Sequence, residues 1–197
     1  PWAVVADAPA GQIGMIDFGT PTPTVYGPFL RDQLGDTNGL VLDVAVTPDG
    51  KKALVSNFGM QEVHCIDISS PTHPVSLGYV SNHFEAEDIA IAPNGQFALV
   101  TDGGASPNIG VIDFNAFRTS DVVYSYTYHM TSGMAQAVAI APDNQTVIVA
   151  SYLGKIIYGL ACSTGLVSEL VHIPCGPSGK PHCPINIAIS PDGDRKS

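Results

Sequence analysis

Asp43, Asp88, Ala137 and Asn186 each enter one of four similar apolar runs that end in a proline turn. Two carboxylates and an amide at matched positions are hard oxygen donors of the kind that suit Ca2+ or Mg2+. Ala137 interrupts the set, and a hard cation needs several oxygens. The same acids could equally cap backbone amides or line a wet channel. The six histidines form no His-x-x-x-His pair. His182 and Cys183 with Cys175 would be three zinc ligands, but structural zinc takes four and no fourth stands nearby. Cys175 and Cys183 bracket a loop rich in Pro and Gly, where a disulfide is expected, with two free thiols as the alternative. Cys65 and Cys162 lie in strand-like runs and are expected to behave as small buried hydrophobes. No Gly-x-Ser-x-Gly elbow, phosphate loop or dinucleotide fingerprint is present. Asn144-Gln145-Thr146 is a formal glycosylation sequon placed in a turn.

The elements that must position these residues repeat. Val44-Ala45-Val46-Thr47-Pro48-Asp49-Gly50 returns as Ile89-Ala90-Ile91-Ala92-Pro93-Asn94-Gly95. It returns again as Val138-Ala139-Ile140-Ala141-Pro142-Asp143-Asn144 and as Ile187-Ala188-Ile189-Ser190-Pro191-Asp192-Gly193. The prolines are spaced by 45, 49 and 49 residues. A period of that length with several strands per unit predicts propeller blades. The apolar, mostly β-branched run suits a strand buried on both faces. Its central Ala lets an inner strand crowd an axis. Pro sets φ for the second turn position, Asp or Asn takes the third, and Gly supplies positive φ. Asn144 replaces Gly once, the most tolerable exception, since Asn enters the left-handed region readily.

Composition narrows the function classes. The chain has 197 residues, enough for one domain with a substantial core. With 45% hydrophobic and 13% charged residues it is not a disordered chain. Twenty Gly and 16 Pro fit many short strands and turns. The net charge of −10 opposes a nucleic-acid backbone, and no basic cluster offsets it. Anionic membranes are disfavoured for the same reason, and no apolar run approaches the ~20 residues of a membrane span. The chain opens at Pro1-Trp2-Ala3, without Met and inside a strand-like run, so upstream residues are expected.

The strand-like runs predict an all-β chain of four-stranded antiparallel blades. Blade 1 is partial, over residues 1–30, and lacks its inner strand. Blade 2 covers 40–80, blade 3 covers 87–128 and blade 4 covers 136–173. Residues 185–190 begin another inner strand.

Second strands match between units: Ala3-Val4-Val5-Ala6-Asp7, Ala53-Leu54-Val55-Ser56-Asn57 and Ala98-Leu99-Val100-Thr101-Asp102. Third strands match as Gly14-Met15-Ile16-Asp17-Phe18, His64-Cys65-Ile66-Asp67-Ile68 and Gly110-Val111-Ile112-Asp113-Phe114. Here the chain resembles the YVTN-type β-propeller repeats of the WD40-like superfamily. Ile66-Asp67-Ile68-Ser69-Ser70-Pro71-Thr72-His73-Pro74-Val75 is similar to the related LVIVD repeat. Blade 4 departs from the pattern, with Ala161 where the aspartate is expected. The resemblance implies that the loops between blades, and those between second and third strands, share one binding face. His83, Phe84, His129, Tyr152 and His182 lie on those loops as candidate ligand-contacting residues.

Two functions follow from this. The first is a binding module that recognises a protein, a glycan or a small-molecule ligand on an acidic loop face. The second is a cation-dependent hydrolase of lactones or related esters, because gluconolactonase-type propellers hold a catalytic cation at such a mouth. In it Asp43, Asp88 and Asn186 would ligate Ca2+ or Mg2+, the metal would activate water, and His83 or His129 would serve as base. An extracytoplasmic setting (periplasmic, secreted or surface) accords with the resemblance and the expected disulfide.

The runs group as 3, 4, 4, 4 and 1, which amounts to four blades of four strands. Residues 185–190 are therefore expected to pair beside Ala3–Ala6 and remove two exposed edges. Within one chain this makes a four-bladed ring. Between two chains it makes an eight-bladed homodimer, which the mostly small inner-strand residues favour. Further blades are the third option, since related propellers often have seven.

Overall fold

The computed structural model describes residues 1–30, 34, 40–81, 85–104, 108–114, 124–131, 133–173 and 184–190, with 124–127 described for backbone only. Among the described residues, fifteen strands form four antiparallel meanders. Blade 1 is β1 (Trp2–Asp7), β2 (Gln12–Asp17) and β3 (Thr24–Phe29). Blade 2 is β4 (Val41–Val46), β5 (Lys52–Asn57), β6 (Glu62–Asp67) and β7 (Val75–Ser81). Blade 3 is β8 (Ala86–Ile91), β9 (Phe97–Asp102), β10 (Asn108–Asp113) and β11 (Tyr124–His129). Blade 4 is β12 (Ala135–Ile140), β13 (Thr146–Ser151), β14 (Ile156–Ala161) and β15 (Leu166–His172).

The repeated turn closes each first hairpin through backbone bonds. The N–H of Gly50, Gly95 and Asn144 donates to the carbonyl of Thr47, Ala92 and Ala141 at 2.8, 2.7 and 3.0 Å. Gly50, Gly95 and Asn144 take φ of 70°, 69° and 58°, so the asparagine occupies the glycine's left-handed position. The acid of the turn also binds locally. The Oδ1 of Asp49 accepts the Thr47 hydroxyl, while Asp143 accepts the Thr146 hydroxyl at Oδ2 and the N–H of Thr146 and Gln145 at Oδ1. These bonds hold both carboxyls below the usual carboxylate range.

Strand alternation builds three cores between four blades. On β5, Ala53 and Val55 face blade 1, where together with Ile66 of β6 they join Ile13 and Met15. Leu54 faces the other way, toward Ala98, Val100 and Ile112 of blade 3. On β9, Leu99 in turn joins Val147, Val149 and Tyr158 of blade 4. A second strand with both faces buried has no polar face to show, so it is a continuous apolar run. Cys65 sits in the middle core and Cys162 at the edge of the next one.

The blades stack in chain order. The inner strands β4, β8 and β12 meet in sequence, while β5 packs on β8 and β9 on β12. Blade 1 repeats that second-to-inner relation, β1 on β4, which places β1 as a second strand whose inner neighbour is missing.

Residues 185–190, expected as a strand beside Ala3–Ala6, carry no strand in the structure, and β1 pairs only with β2. Ile185 is 68% exposed.

Candidate functional site

The inner strands enter through a bulge. In blade 2 the register passes from Val41↔Asn57 to Val44↔Val55, so Leu42 and Asp43 together oppose Ser56. In blade 3 it passes from Ala86↔Asp102 to Ile89↔Val100, so Glu87 and Asp88 oppose Thr101. A bulge takes a backbone N–H out of the ladder, and here a hydroxyl on the second strand receives it. Asp43 N–H donates to Ser56 Oγ at 2.8 Å, and Asp88 N–H to Thr101 Oγ1 at 3.0 Å.

The bulge turns each carboxylate toward the next blade. Asp43 Oδ2 accepts the N–H of Ile89 at 2.8 Å, and Asp88 Oδ2 accepts the N–H of Val138 at 2.7 Å. Ser56 Oγ also donates across to the Glu87 carbonyl at 2.9 Å. The two aspartates are thus latches that tie blade 2 to blade 3 and blade 3 to blade 4. In blade 4 the matched positions are Ala137 and Ala150, paired directly with each other, and neither can latch.

The latches carry an electrostatic cost. Burial pushes the Asp88 carboxyl up to about 6, and the neighbouring Asp43 carboxyl adds to the rise through its charge and a hydrogen bond. The Val138 N–H pulls the other way.

The cation set expected from the sequence meets this arrangement. Asp43 and Asp88 each commit an oxygen to a neighbouring amide, while Asn186 lies in the undocked segment with Oδ1 on its own Ile187 N–H at 2.6 Å. Among the described residues, no three His, Cys, Asp or Glu side chains cluster as metal ligands.

Around the latches the mouth is acidic. The Glu87 carboxylate accepts the Gln136 side-chain amide of the next blade. Burial raises its carboxyl, and the charge of Glu85 adds to that rise. Asp102, 3% exposed, accepts the N–H of Glu85 and Gly104 and the side-chain amide of Asn108. Asn108 Oδ1 lies 2.6 Å from His129 Nδ1, so the network runs from a buried acid to an exposed histidine. Asn57 and Ser151 hold the matched position in blades 2 and 4, and each caps the following loop, at Met60 N–H and Gly154 N–H.

Of the ligand-contacting candidates, His129 sits at the end of β11, and Tyr152 sits on the loop after β13, where its N–H donates to the Met134 carbonyl. His83, Phe84 and His182 lie outside the described residues, as do Cys175 and Cys183. The sequence reading missed the apolar rim at this end: Leu40, Leu42, Met60 and Leu153 are all exposed. Their signal was present, since each sits on a loop or strand entry where no core claims it. At the turn end a separate cavity of about 410 Å³ opens between blades 3 and 4, lined in part by Phe97, Leu99, Tyr128 and Cys162. Burial raises the Cys162 thiol, which keeps it a poor nucleophile.

No family model and no curated protein matches the chain. Solved structures do resemble it. Hydrazine synthase of Kuenenia stuttgartiensis is 20% identical with a TM-score of 0.62, over 76% of this chain and 39% of that one. The β-propeller domain of Cps50 (Swd1) from Myceliophteria thermophila is 14% identical with a TM-score of 0.65, over 83% of this chain and 55% of that one. A protein from Lactobacillus plantarum is 15% identical with a TM-score of 0.65, over 88% of this chain and 54% of that one. The chain spans about half the length of the structures it matches, or less. At these identities the likeness concerns the fold, and that fold is a β-propeller.

Proposed function

We propose that the chain is a β-propeller interaction module that binds a protein partner through its loop end. The observation that carries this reading is the division of labour at the mouth. The aspartates are used to join blades, which leaves the exposed apolar rim of Leu40, Met60, Tyr152 and Leu153 around a mouth of half-buried, hydrogen-bonded acids. Exposed apolar side chains on rigid loops, rimmed by polar groups, suit protein contact. A glycan or small ligand would engage the same rim with different chemistry.

The test compares capture by wild type with capture by Met60→Ser/Leu153→Ser. Partners cross-linked to wild type should be lost with the rim variant while its melting temperature is unchanged. Equal capture by both proteins would overturn the reading. Loss of glycan binding alone would redirect it to carbohydrate.

A further inference from the structure

In blades 2, 3 and 4 the third strand runs out at a residue that faces the previous blade. There the N–H of Ile68, Phe114 and Cys162 donates to the carbonyl of Lys51, Gln96 and Gln145, at 2.8, 3.1 and 2.9 Å. The shared bond makes the three residues equivalent, one for each joint between blades. Phe114 fills its joint: it is 9% exposed and belongs to the core between blades 2 and 3. Cys162 is the smallest of the three and is only half-buried. Beside it the joint between blades 3 and 4 opens into the cavity of about 410 Å³.

The walls of this cavity suit a small ligand. Pockets that take small molecules span roughly 300–1,000 Å³ and are mostly apolar with a few placed polar groups. Phe97, Leu99, Val111 and Tyr128 supply an apolar wall with two rings. Asp113 is the one charged side chain in the lining among the described residues. It stands directly across the ladder from Phe97, so a carboxylate and a ring lie side by side on one wall. A carboxylate has two oxygens and about four acceptor sites, so it takes a further donor while serving a neighbour.

That combination selects a ligand class. An aromatic ring packs on Phe97 and Tyr128. An ammonium meets the Asp113 carboxylate, and an adjacent ring face attracts the same charge. An anion of the same shape meets a like charge instead. The net charge of −10 favours the cation further. The other joints lack one part of the set. Between blades 1 and 2 a space of about 390 Å³ lies beside Ile68, but its lining carries no charged side chain among the described residues. Between blades 2 and 3 Phe114 occupies the place.

We propose that the joint between blades 3 and 4 is a binding site for a small aromatic amine, with Asp113 holding the ammonium and Phe97 and Tyr128 flanking the ring. It lies at the turn end, apart from the rim at the loop end, so the two sites can be tested separately.

The test is calorimetric titration of the full chain with phenethylamine. Saturable binding of one equivalent is expected, with phenylacetate and butylamine each weaker by about tenfold or more. Asp113→Asn should weaken the amine about tenfold, for the loss of one charge-assisted hydrogen bond. Cys162→Phe should abolish binding by filling the cavity as Phe114 fills the previous joint, with the melting temperature held. Cys162→Ser should bind as wild type does. Maleimide labelling of Cys162, read on its own peptide by mass spectrometry, should slow when the amine is bound. If Cys162→Phe does not fold, Asp113→Asn and the labelling rate decide the matter. Absence of saturable binding overturns the proposal. Binding that survives Cys162→Phe, or that leaves Cys162 labelling unchanged, puts the amine elsewhere and overturns the site. Phenylacetate bound as tightly as phenethylamine, or indifference to Asp113→Asn, overturns the ligand class.

Discussion

Blades 3 and 4 have the same four-stranded meander, the same apolar inner strand and the same turn, yet they enter that strand differently. Blade 3 enters its inner strand with Asp88 opposite Thr101, and the carboxylate crosses to Val138. Blade 4 enters with Ala137 opposite Ala150, two side chains that can accept no hydrogen bond. Apolar burial is non-directional, so it can hold two blades together without fixing their rotation about the axis. A carboxylate aimed at one amide is directional and fixes it. The comparison teaches that the strands decide that blades form, and one polar position per blade decides which joints are locked.

Core substitution should separate the two sides of blade 4 most strongly. Leu99→Ala, in the core between blades 3 and 4, should cost roughly 2–5 kcal/mol in urea unfolding. Leu170→Ala, on the exposed far side of blade 4, should stay within about 0.5 kcal/mol. Equal effects would mean that the far side is as buried as the near one.

Breaking a latch comes next. Asp88→Ala leaves the Val138 N–H without its acceptor, for a loss of roughly 1–3 kcal/mol. Relief of a buried charge offsets part of that loss at neutral pH. Asp88→Asn keeps an acceptor and drops the charge, so it should be the milder variant. The order reversed would show that the bond to Val138 is idle.

The pH dependence sharpens the same point. The folded state raises the Asp88 carboxyl from the usual carboxylate range to about 6, so it favours the protonated form. The stability this supplies is fully present below the unfolded value and is lost as pH rises through about 6. His64 acts oppositely: burial lowers it to about 4, so its contribution is present above 6.5 and lost as pH falls toward 4. Wild type measured against Asp88→Asn isolates the first effect. The difference in melting temperature should shift in favour of the variant between pH 4 and 7. A flat difference would remove Asp88 as the titrating group.

The smallest effect is expected from cations. With Asp43 and Asp88 each holding an amide, millimolar Ca2+ or Mg2+ should leave the melting temperature unchanged. A rise that disappears in Asp43→Ala/Asp88→Ala would favour the divalent-cation reading and the hydrolase chemistry that goes with it.

The architecture was legible because its causes are local. A Pro-Asp-Gly turn, or Asn144 in its place, acts through φ within four residues, and burial on both faces acts on successive side chains of one strand. Both leave a periodic trace that can be counted along the chain. The role of Asp43 was not legible in that way. An aspartate entering an inner strand looks the same whether it meets a cation, water or an amide. Its partner is the N–H of Ile89, 46 residues away on the inner strand of another blade. Local sterics and alternation settle which strands form, while long-range geometry settles what each polar side chain finds when they have formed.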